Sequence, residues 1–435
     1  MNKSLYIVAF SLAFATTGIA QNNEGQDKVI DLGTQTTTEL RKTQAVSTIY
    51  SDELDKNATT SPYNAIYGLL PGLSVMQNTS WGTDKSRLNV RGRGSLNGDT
   101  PLFVVDGFAR PLEYINLSEI ESISVLKDGA ATALWGGRGA NGVVLITTKR
   151  GIYSQKDIKV DYKFGLGFPV NQPEFADAYT YAKARNEALR YDGLQPDMDE
   201  ASFLSGGNSD LYPNVDWQKE ALRNHTTSHQ LDITFRGGGK RLRYFSVLNY
   251  KNDMGLLNSK YTDYTDRYNS QMKKYFLNLR MNLDVDITDA TKLKLSMLGM
   301  LRETKRPTTS EATLFEQIFN TPSAAFPVQT LNGFWGSNNV LKTNPIANLA
   351  DVGYYKLNQR MLQADLRLVQ DLSVLTRGLS AELAIAYDNN ATYQETAKKS
   401  FMYQTIEKGT DGEPIYTNYG NPNDELEISN NCLLY

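Results

Sequence analysis

Several short groupings in the sequence are of types that do chemistry in other settings. Gly137, Gly139 and Gly142 spell G-x-G-x-x-G, a pattern that cradles a dinucleotide pyrophosphate when it follows a strand and opens a helix. Here the order is reversed, with a helix-like Ala130 to Trp135 before it and a strand-like Val143 to Thr148 after it. The glycines therefore read as a tight helix-to-strand turn. His225 and His229 are the only histidines. At helical spacing they could grip a metal, but Thr226 and Thr227 favour a strand, which holds them about 13 Å apart. Asp197, Asp199 and Glu200 lack the turn glycine and terminal glutamate of a calcium loop and read as a solvated loop. There is no Ser elbow, no Cys nucleophile and no pocket-like pair of carboxylates, so neither an enzyme nor a cofactor or metal site is expected.

Two further groupings suit structure and recognition. Arg91 and Arg93 alternate with Gly92 and Gly94; the glycines keep the backbone close to a neighbouring surface, and the guanidinium forks can hold its carboxylates bidentately. Asp106-Gly107 is a hairpin-turn dipeptide, with Gly supplying positive φ.

The elements that must hold these residues follow from compartment and periodicity. Lys3, the apolar Leu5 to Ala15 and the small residues Gly18-Ile19-Ala20 make residues 1–20 a secretory signal. The one cysteine, Cys432, leaves an exported chain without an internal disulfide. The 435 residues are 40% hydrophobic and 21% charged, a folding composition. A net charge of −3 gives no field for nucleic acid, and no nucleic-acid partner is expected. No apolar run after the signal reaches the length of a spanning helix, but a mean hydropathy of −0.44 is compatible with spanning strands.

Residues 21–46 are Gln-, Asn- and Thr-rich and read as a flexible arm, interrupted by the apolar pair Val29-Ile30. Residues 47–151 have the texture of a compact α+β domain. Strands are expected at 73–77, 87–90, 101–106, 120–126 and 143–148, and helical pieces at 51–56, 63–70 and 128–135. From 152 to 435 long alternation takes over. Tyr275, Leu277, Leu279, Met281, Leu283, Val285 and Ile287 share one face, and Asn278, Arg280, Asn282, Asp284 and Asp286 the other. The same period runs through Ile158 to Phe168, Leu231 to Phe235, Leu293 to Met297, Leu362 to Leu368 and Leu379 to Tyr387. A soluble β-sandwich also alternates, but its strands average about 5 to 6 residues, whereas a tilted membrane strand needs about 9 to 11. Tight turns at 237–239 and 288–290 alternate with long excursions at 252–274 and 305–354, as in outer-membrane barrels. Between 172 and 224, helical spacing at 175–190 and a short turn at 214–222 form an insertion.

Asn89-Val90-Arg91-Gly92-Arg93-Gly94-Ser95-Leu96, followed by Pro101 to Gly107, closely resembles the plug of the SusC/RagA family of TonB-dependent outer-membrane transporters. Glu119 to Gly136, including Lys127 and Asp128, resembles its second plug signature, and Arg138 to Lys149, including Arg138, Asn141 and Gly142, follows at once. Asn214-Val215-Asp216-Trp217, Gly237-Gly238-Gly239 and Tyr268 are also similar to that family. The resemblance implies an α+β plug domain followed by an incomplete antiparallel transmembrane β-barrel in the outer membrane of a Gram-negative, Bacteroidetes-like bacterium. It implies import of an oligosaccharide or peptide nutrient ligand, with outer-membrane lipid, the TonB-ExbB-ExbD complex and a SusD-like surface lipoprotein as partners. Val29, Ile30, Asp31 and Leu32 stand as the candidate TonB box, without the valine-rich run and Gly-Tyr-Gly-Thr usual in the family. Residues 152–435 hold about seven or eight spanning strands where plugged transporters close with about 22. The sequence is accordingly expected to be part of a longer protein. A truncated, nonfunctional product and a secreted soluble β-rich glycan-binding protein are the alternatives.

Overall fold

The computed structural model of the protein describes residues 10–12, 29–32, 36–38, 41–54, 56, 59, 61–77, 86–95, 98–170, 172–263, 265, 268–421 and 425–434. Most of the expected signal segment lies outside the described residues. Its Phe10–Leu12 runs antiparallel to the first long strand, with Phe10 opposite Phe164.

The N-terminal domain is built on β1 (Val46–Tyr50), β2 (Leu73–Met76), β3 (Arg87–Val90), β4 (Leu102–Val105), β5 (Phe108–Ala109), β6 (Ile120–Leu126) and β7 (Val143–Thr148). Five of these form one mixed sheet in the order β1-β6-β7-β4-β5, while β2 and β3 pair separately. β6 and β7 are buried on both faces, β7 as the continuous apolar run Val143 to Ile146. One face packs on Leu54, Tyr63, Ile66, Leu88, Leu112 and Ile115. The other takes Ile30 and Leu32 beside Val46, Val104 and Leu145. The stretch read as a flexible arm is therefore docked in part: Val29–Asp31 pairs with Thr36–Thr38, and the period of two aims Ile30 and Leu32 at the same sheet face.

The remainder is an antiparallel meander of eight long strands, each paired with the next. They are β8 (Lys156–Gly167), β9 (Thr226–Gly238), β10 (Leu242–Met254), β11 (Lys273–Asp286), β12 (Thr291–Pro307), β13 (Gly353–Asp371), β14 (Ser380–Lys398) and β15 (Glu427–Leu434). β13 and β14 reach 19 residues each, far beyond soluble strands. The sheet is inverted relative to a soluble one. On β11 Leu277, Leu279 and Met281 are exposed while Asn278, Arg280 and Asn282 are buried, and on β13 Leu362 and Leu366 are exposed while Gln363 and Asp365 are buried. No second sheet covers the apolar side among the described residues, which removes the soluble sandwich.

β10 and β15 carry no clear alternation in the sequence. On β10 the inward side includes Phe245 and Val247, so both faces are apolar and the period disappears. Connections 239–241, 287–290 and 372–379 are short and lie on one rim; 168–225, 255–272, 308–352 and 399–426 are long and lie on the other. The long ones are not merely polar excursions. Helices Ala178–Tyr191, Trp217–Ala221, Glu311–Asn320 and Pro345–Ala350 fold over that rim. Trp217, Leu257, Leu314, Phe326, Trp335 and Ile346 are buried there in a core of their own.

Candidate functional site

The candidate site is the seam between the N-terminal domain and the inner face of the long-stranded sheet. It is polar, although the domain's interior is apolar. Strand periodicity supplies the wall side: Asn278, Arg280, Asn282 and Asp284 succeed one another on the inner face of β11. Each of them meets the domain in order. Glu119 ends a short turn capped reciprocally by Asn116, which fixes its carboxylate at the start of β6. That carboxylate is fully buried, and accepts from Arg280 Nε at 2.5 Å, Asn278 Nδ2 at 2.5 Å and the Asn116 amide at 3.2 Å. Burial pushes the Glu119 carboxyl up from the usual carboxylate range, and Arg280 opposes that shift. Asn282 donates to Thr148 Oγ1 at 2.9 Å and to the Lys149 carbonyl at 2.7 Å. Asp284 accepts from Arg150 Nη1 at 2.6 Å, and Arg150 Nη2 reaches Ser296 at 2.9 Å.

A second anchor lies on β13 and β14. Arg110, buried just after β5, places both Nη atoms on Asp365 at 2.7 and 2.5 Å and its Nε and Nη2 on Asp388 at 3.1 and 2.6 Å. Burial works against the charge of this guanidinium, but the two carboxylates more than compensate and raise its pKa. From the wall, Arg302 donates to the Glu113 carbonyl at 2.6 Å, Asn249 to Ser118 at 2.7 Å, and Arg367 to the Asp106 carbonyl.

Buried ion pairs of this kind contribute little net stability but strongly penalise the loss of one partner. Arg280 Nη2, Asn278 Oδ1 and Asn282 Oδ1 have no protein partner among the described residues, so the seam is less fully satisfied than a core. A domain held in this way has a defined seat, yet can leave it without opening its own apolar core.

The TonB-dependent Receptor Plug Domain family matches residues 38–143. The chain is 30% identical over 283 residues to the TonB-dependent receptor SusC of Bacteroides thetaiotaomicron, covering 61% of this chain and 26% of that protein. Over the plug and the first long strands the chain is similar to the SusC/RagA family of TonB-dependent receptors. It is also 28% identical over 281 residues to TonB-dependent receptor P26 of Formosa agariphila, covering 63% of this chain and 26% of the relative. The RagAB peptide importer in its closed-closed state shares the fold, with a TM-score of 0.66 and 19% identity over 82% of this chain and 42% of that one. The chain spans about a quarter of the length of the curated relatives it matches.

Within this plug domain, the sequence-derived motif residues hold the plug's own architecture. Arg93 does not reach a wall carboxylate among the described residues. Its Nε donates to Asp99 at 3.1 Å inside the plug, where Arg87 also binds. Arg91 is exposed, with φ +57, and its amide donates to the Gly72 carbonyl at 2.8 Å. Gly92 and Gly94 are exposed beside it. Asp106 and Gly107 both have positive φ, as a tight hairpin demands, and Asp106 accepts from the Thr148 amide at 3.0 Å and hydroxyl at 2.6 Å. Lys127 donates to Ser47 at 2.6 Å and to the Pro71 carbonyl at 3.0 Å. Asp128 accepts from the Ala45 and Ala131 amides, both at 2.8 Å, capping the helical turn while tying down the start of β1. Those amides hold its carboxyl below the usual range. Arg138 is exposed, and Asn141 donates to the Gly98 carbonyl at 3.1 Å. Gly142 has φ +87 and faces Val90 so closely that a Cβ would lie 2.8 Å from it.

Of the G-x-G-x-x-G glycines, Gly137 and Gly139 lie in the 3₁₀ segment Ala133–Gly139 and Gly142 in the turn that leads from it into β7. His229 stands on β9, where Tyr162 Oη lies 2.8 Å from its Nδ1. Asp197 pairs with Arg185, and Asp199 caps the helix Glu200–Ser205. Sequence reasoning missed Arg110, Glu119 and Arg150, three of the charged plug residues that pair with the wall. The signal available for Glu119 and Arg150 was the polar face of β11, and for Arg110 the inward Asp365 of β13, each of which required a charged partner.

Proposed function

We propose that this chain is part of an outer-membrane importer in a Gram-negative, Bacteroidetes-like bacterium, taking up an oligosaccharide or peptide with energy from the TonB-ExbB-ExbD complex. A SusD-like surface lipoprotein would present the cargo at the rim carrying the long connections. The observation that carries this reading is the pairing of an inverted sheet, apolar outside and polar inside, with a plug held by a polar seam. An apolar seam would make displacement as costly as unfolding; ionic and amide contacts can be exchanged for water as cargo enters.

The pulling handle in this reading is Val29 to Leu32, which TonB would engage by strand addition. Ile30 and Leu32 are buried against the plug sheet, so the handle must be freed before it can be pulled. Support comes from similar proteins: SusC is a TonB-dependent receptor, and RagAB is a peptide importer. The test is uptake of labelled oligosaccharide and peptide pools by cells making the full-length protein, with and without TonB. Uptake that needs both supports the proposal, and uptake that is unchanged by loss of TonB overturns it.

A further inference from the structure

β11, β12 and β13 place three lysines in one cross-strand row: Lys273 lies opposite Lys305, and Lys305 opposite Lys356. Neighbouring strands stand about 4.8 Å apart, and like charges directly opposite one another are destabilising. The row is on the outer face of the sheet, in phase with Leu277, Leu301 and Leu362, all exposed. Arg360, also exposed on that face, lies opposite Leu301.

Two carboxylates share this surface. Glu303 lies 3.3 Å from Lys305 and 3.4 Å from Lys356, and so serves two cations at once. Glu395, opposite Lys356, accepts from Tyr354 Oη at 2.6 Å. Among the described residues neither Lys273 nor Arg360 has a carboxylate within ion-pair distance. Four cations thus face two anions at the end of the apolar band nearest the long connections. Along the strands the row stands about 13 Å beyond Leu277 and Leu301, which tilt reduces to about 10 Å of height. Lysine stems can lie back along that distance and set their charges at the polar edge of a bilayer.

We propose that this row binds the phosphate of a phosphorylated lipid headgroup in the leaflet at the long-connection rim, with the acyl chains lying along Leu277, Leu301 and Leu362. The proposal rests on the reading of these strands as outer-membrane spanning. A phosphate supplies the negative charge that the row lacks, and it does so at the boundary where the apolar band ends. Two or more lysines converging on one phosphate relieve their mutual repulsion, which a single surface lysine would not need.

The test uses the full-length protein extracted from outer membranes into a non-ionic detergent, beside the triple variant Lys273→Gln, Lys305→Gln, Lys356→Gln. Each is titrated by native mass spectrometry with diphosphorylated lipid A, with its dephosphorylated form, and with inorganic phosphate. The wild type should bind the diphosphorylated lipid about a hundredfold more tightly than the variant. The dephosphorylated lipid should bind both alike, and inorganic phosphate should leave the lipid in place. Thermal unfolding without lipid keeps the comparison fair: the variant should melt no lower than the wild type, because removing the row relieves repulsion. Equal affinities of wild type and variant for the diphosphorylated lipid, wild-type binding of the dephosphorylated form as tight as that of the diphosphorylated one, or displacement by inorganic phosphate would each overturn the proposal. So would loss of a co-purifying acidic protein from the variant with lipid affinity unchanged. A full-length protein that stays soluble without detergent defeats the underlying barrel reading; a membrane-embedded one whose lipid binding ignores the lysines defeats only this inference.

Discussion

Changing Arg280 to Met removes the cation from a fully buried carboxylate. Glu119 is 0% exposed and Arg280 2% exposed, so solvent cannot replace the lost partner. Breaking a buried pair from one side costs about 3 to 5 kcal/mol, whereas replacing both partners by apolar groups is often neutral. Arg280→Met alone should therefore loosen plug docking by about that amount, and the double variant with Glu119→Met should recover most of it. Thiol labelling of Ser118→Cys, which stands at the seam opposite Asn249, in a Cys432→Ser background reads the docking equilibrium. A loss of about 3 kcal/mol corresponds to a fall in protection of about a hundredfold. The single variant should also depend on pH more steeply than the wild type, because Arg280 no longer opposes the upward shift of Glu119. Burial raises the Glu119 carboxyl, so the docked state prefers it protonated: docking is favoured at low pH and weakens as pH rises through the raised value. Glu119→Gln in the Arg280→Met background should abolish that dependence. Equal protection in wild type and single variant, or a double variant as loose as the single, would refute the reasoning.

Other outcomes follow from the same contacts. Gly107→Ala should cost about 1 to 2 kcal/mol in urea titration, because φ is +86 and the new Cβ would meet Arg367 Nη2 at 2.5 Å, pushing it off the Asp106 carbonyl. Asp128→Asn should lose about 1 kcal/mol of plug stability at neutral pH, because the side-chain amide has one oxygen for the two backbone amides that Asp128 holds on separate oxygens. Because the folded-state carboxyl is depressed, its contribution is present above the unfolded value and disappears as pH falls through the folded one, so wild type and variant should converge in acid. Ile30→Asp should free the arm, seen as faster proteolysis near Val29 to Leu32 with the plug sheet still protected. Trp217→Ala should remove about 3 to 5 kcal/mol from the rim core and expose 308–352 to protease while the long strands stay intact.

The sequence carried the fold well wherever one face of a strand met lipid and the other met polar partners. β11 was legible along its whole length because Leu277 to Val285 and Asn278 to Asp284 separate cleanly. β6 and β7 were legible as buried apolar runs bounded by turn residues. β10 was not, since Phe245 and Val247 face the plug and erase the alternation. The site was less legible than the fold. Asp106-Gly107 announces its turn locally, but whether an arginine is a wall contact depends on what stands opposite it in space. Arg93, flanked by glycines, turns to Asp99 six residues on, while Arg110, without a conspicuous neighbourhood, meets Asp365 and Asp388 across the seam. The rim core was hidden for a related reason: Trp217, Leu257, Phe326 and Ile346 come from four separate stretches, none apolar enough alone to signal burial.

The central claim is that the exposed face of β8 to β14 is a lipid face. Single cysteines placed in turn at 278, 279, 280, 281 and 282 of full-length protein carrying Cys432→Ser, each bearing a fluorophore and reconstituted in bilayers with a chain-brominated lipid, test it directly. Strong quenching at 279 and 281 with little at 278, 280 and 282 is the predicted result. Uniform quenching, or none at 279 and 281, would contradict it.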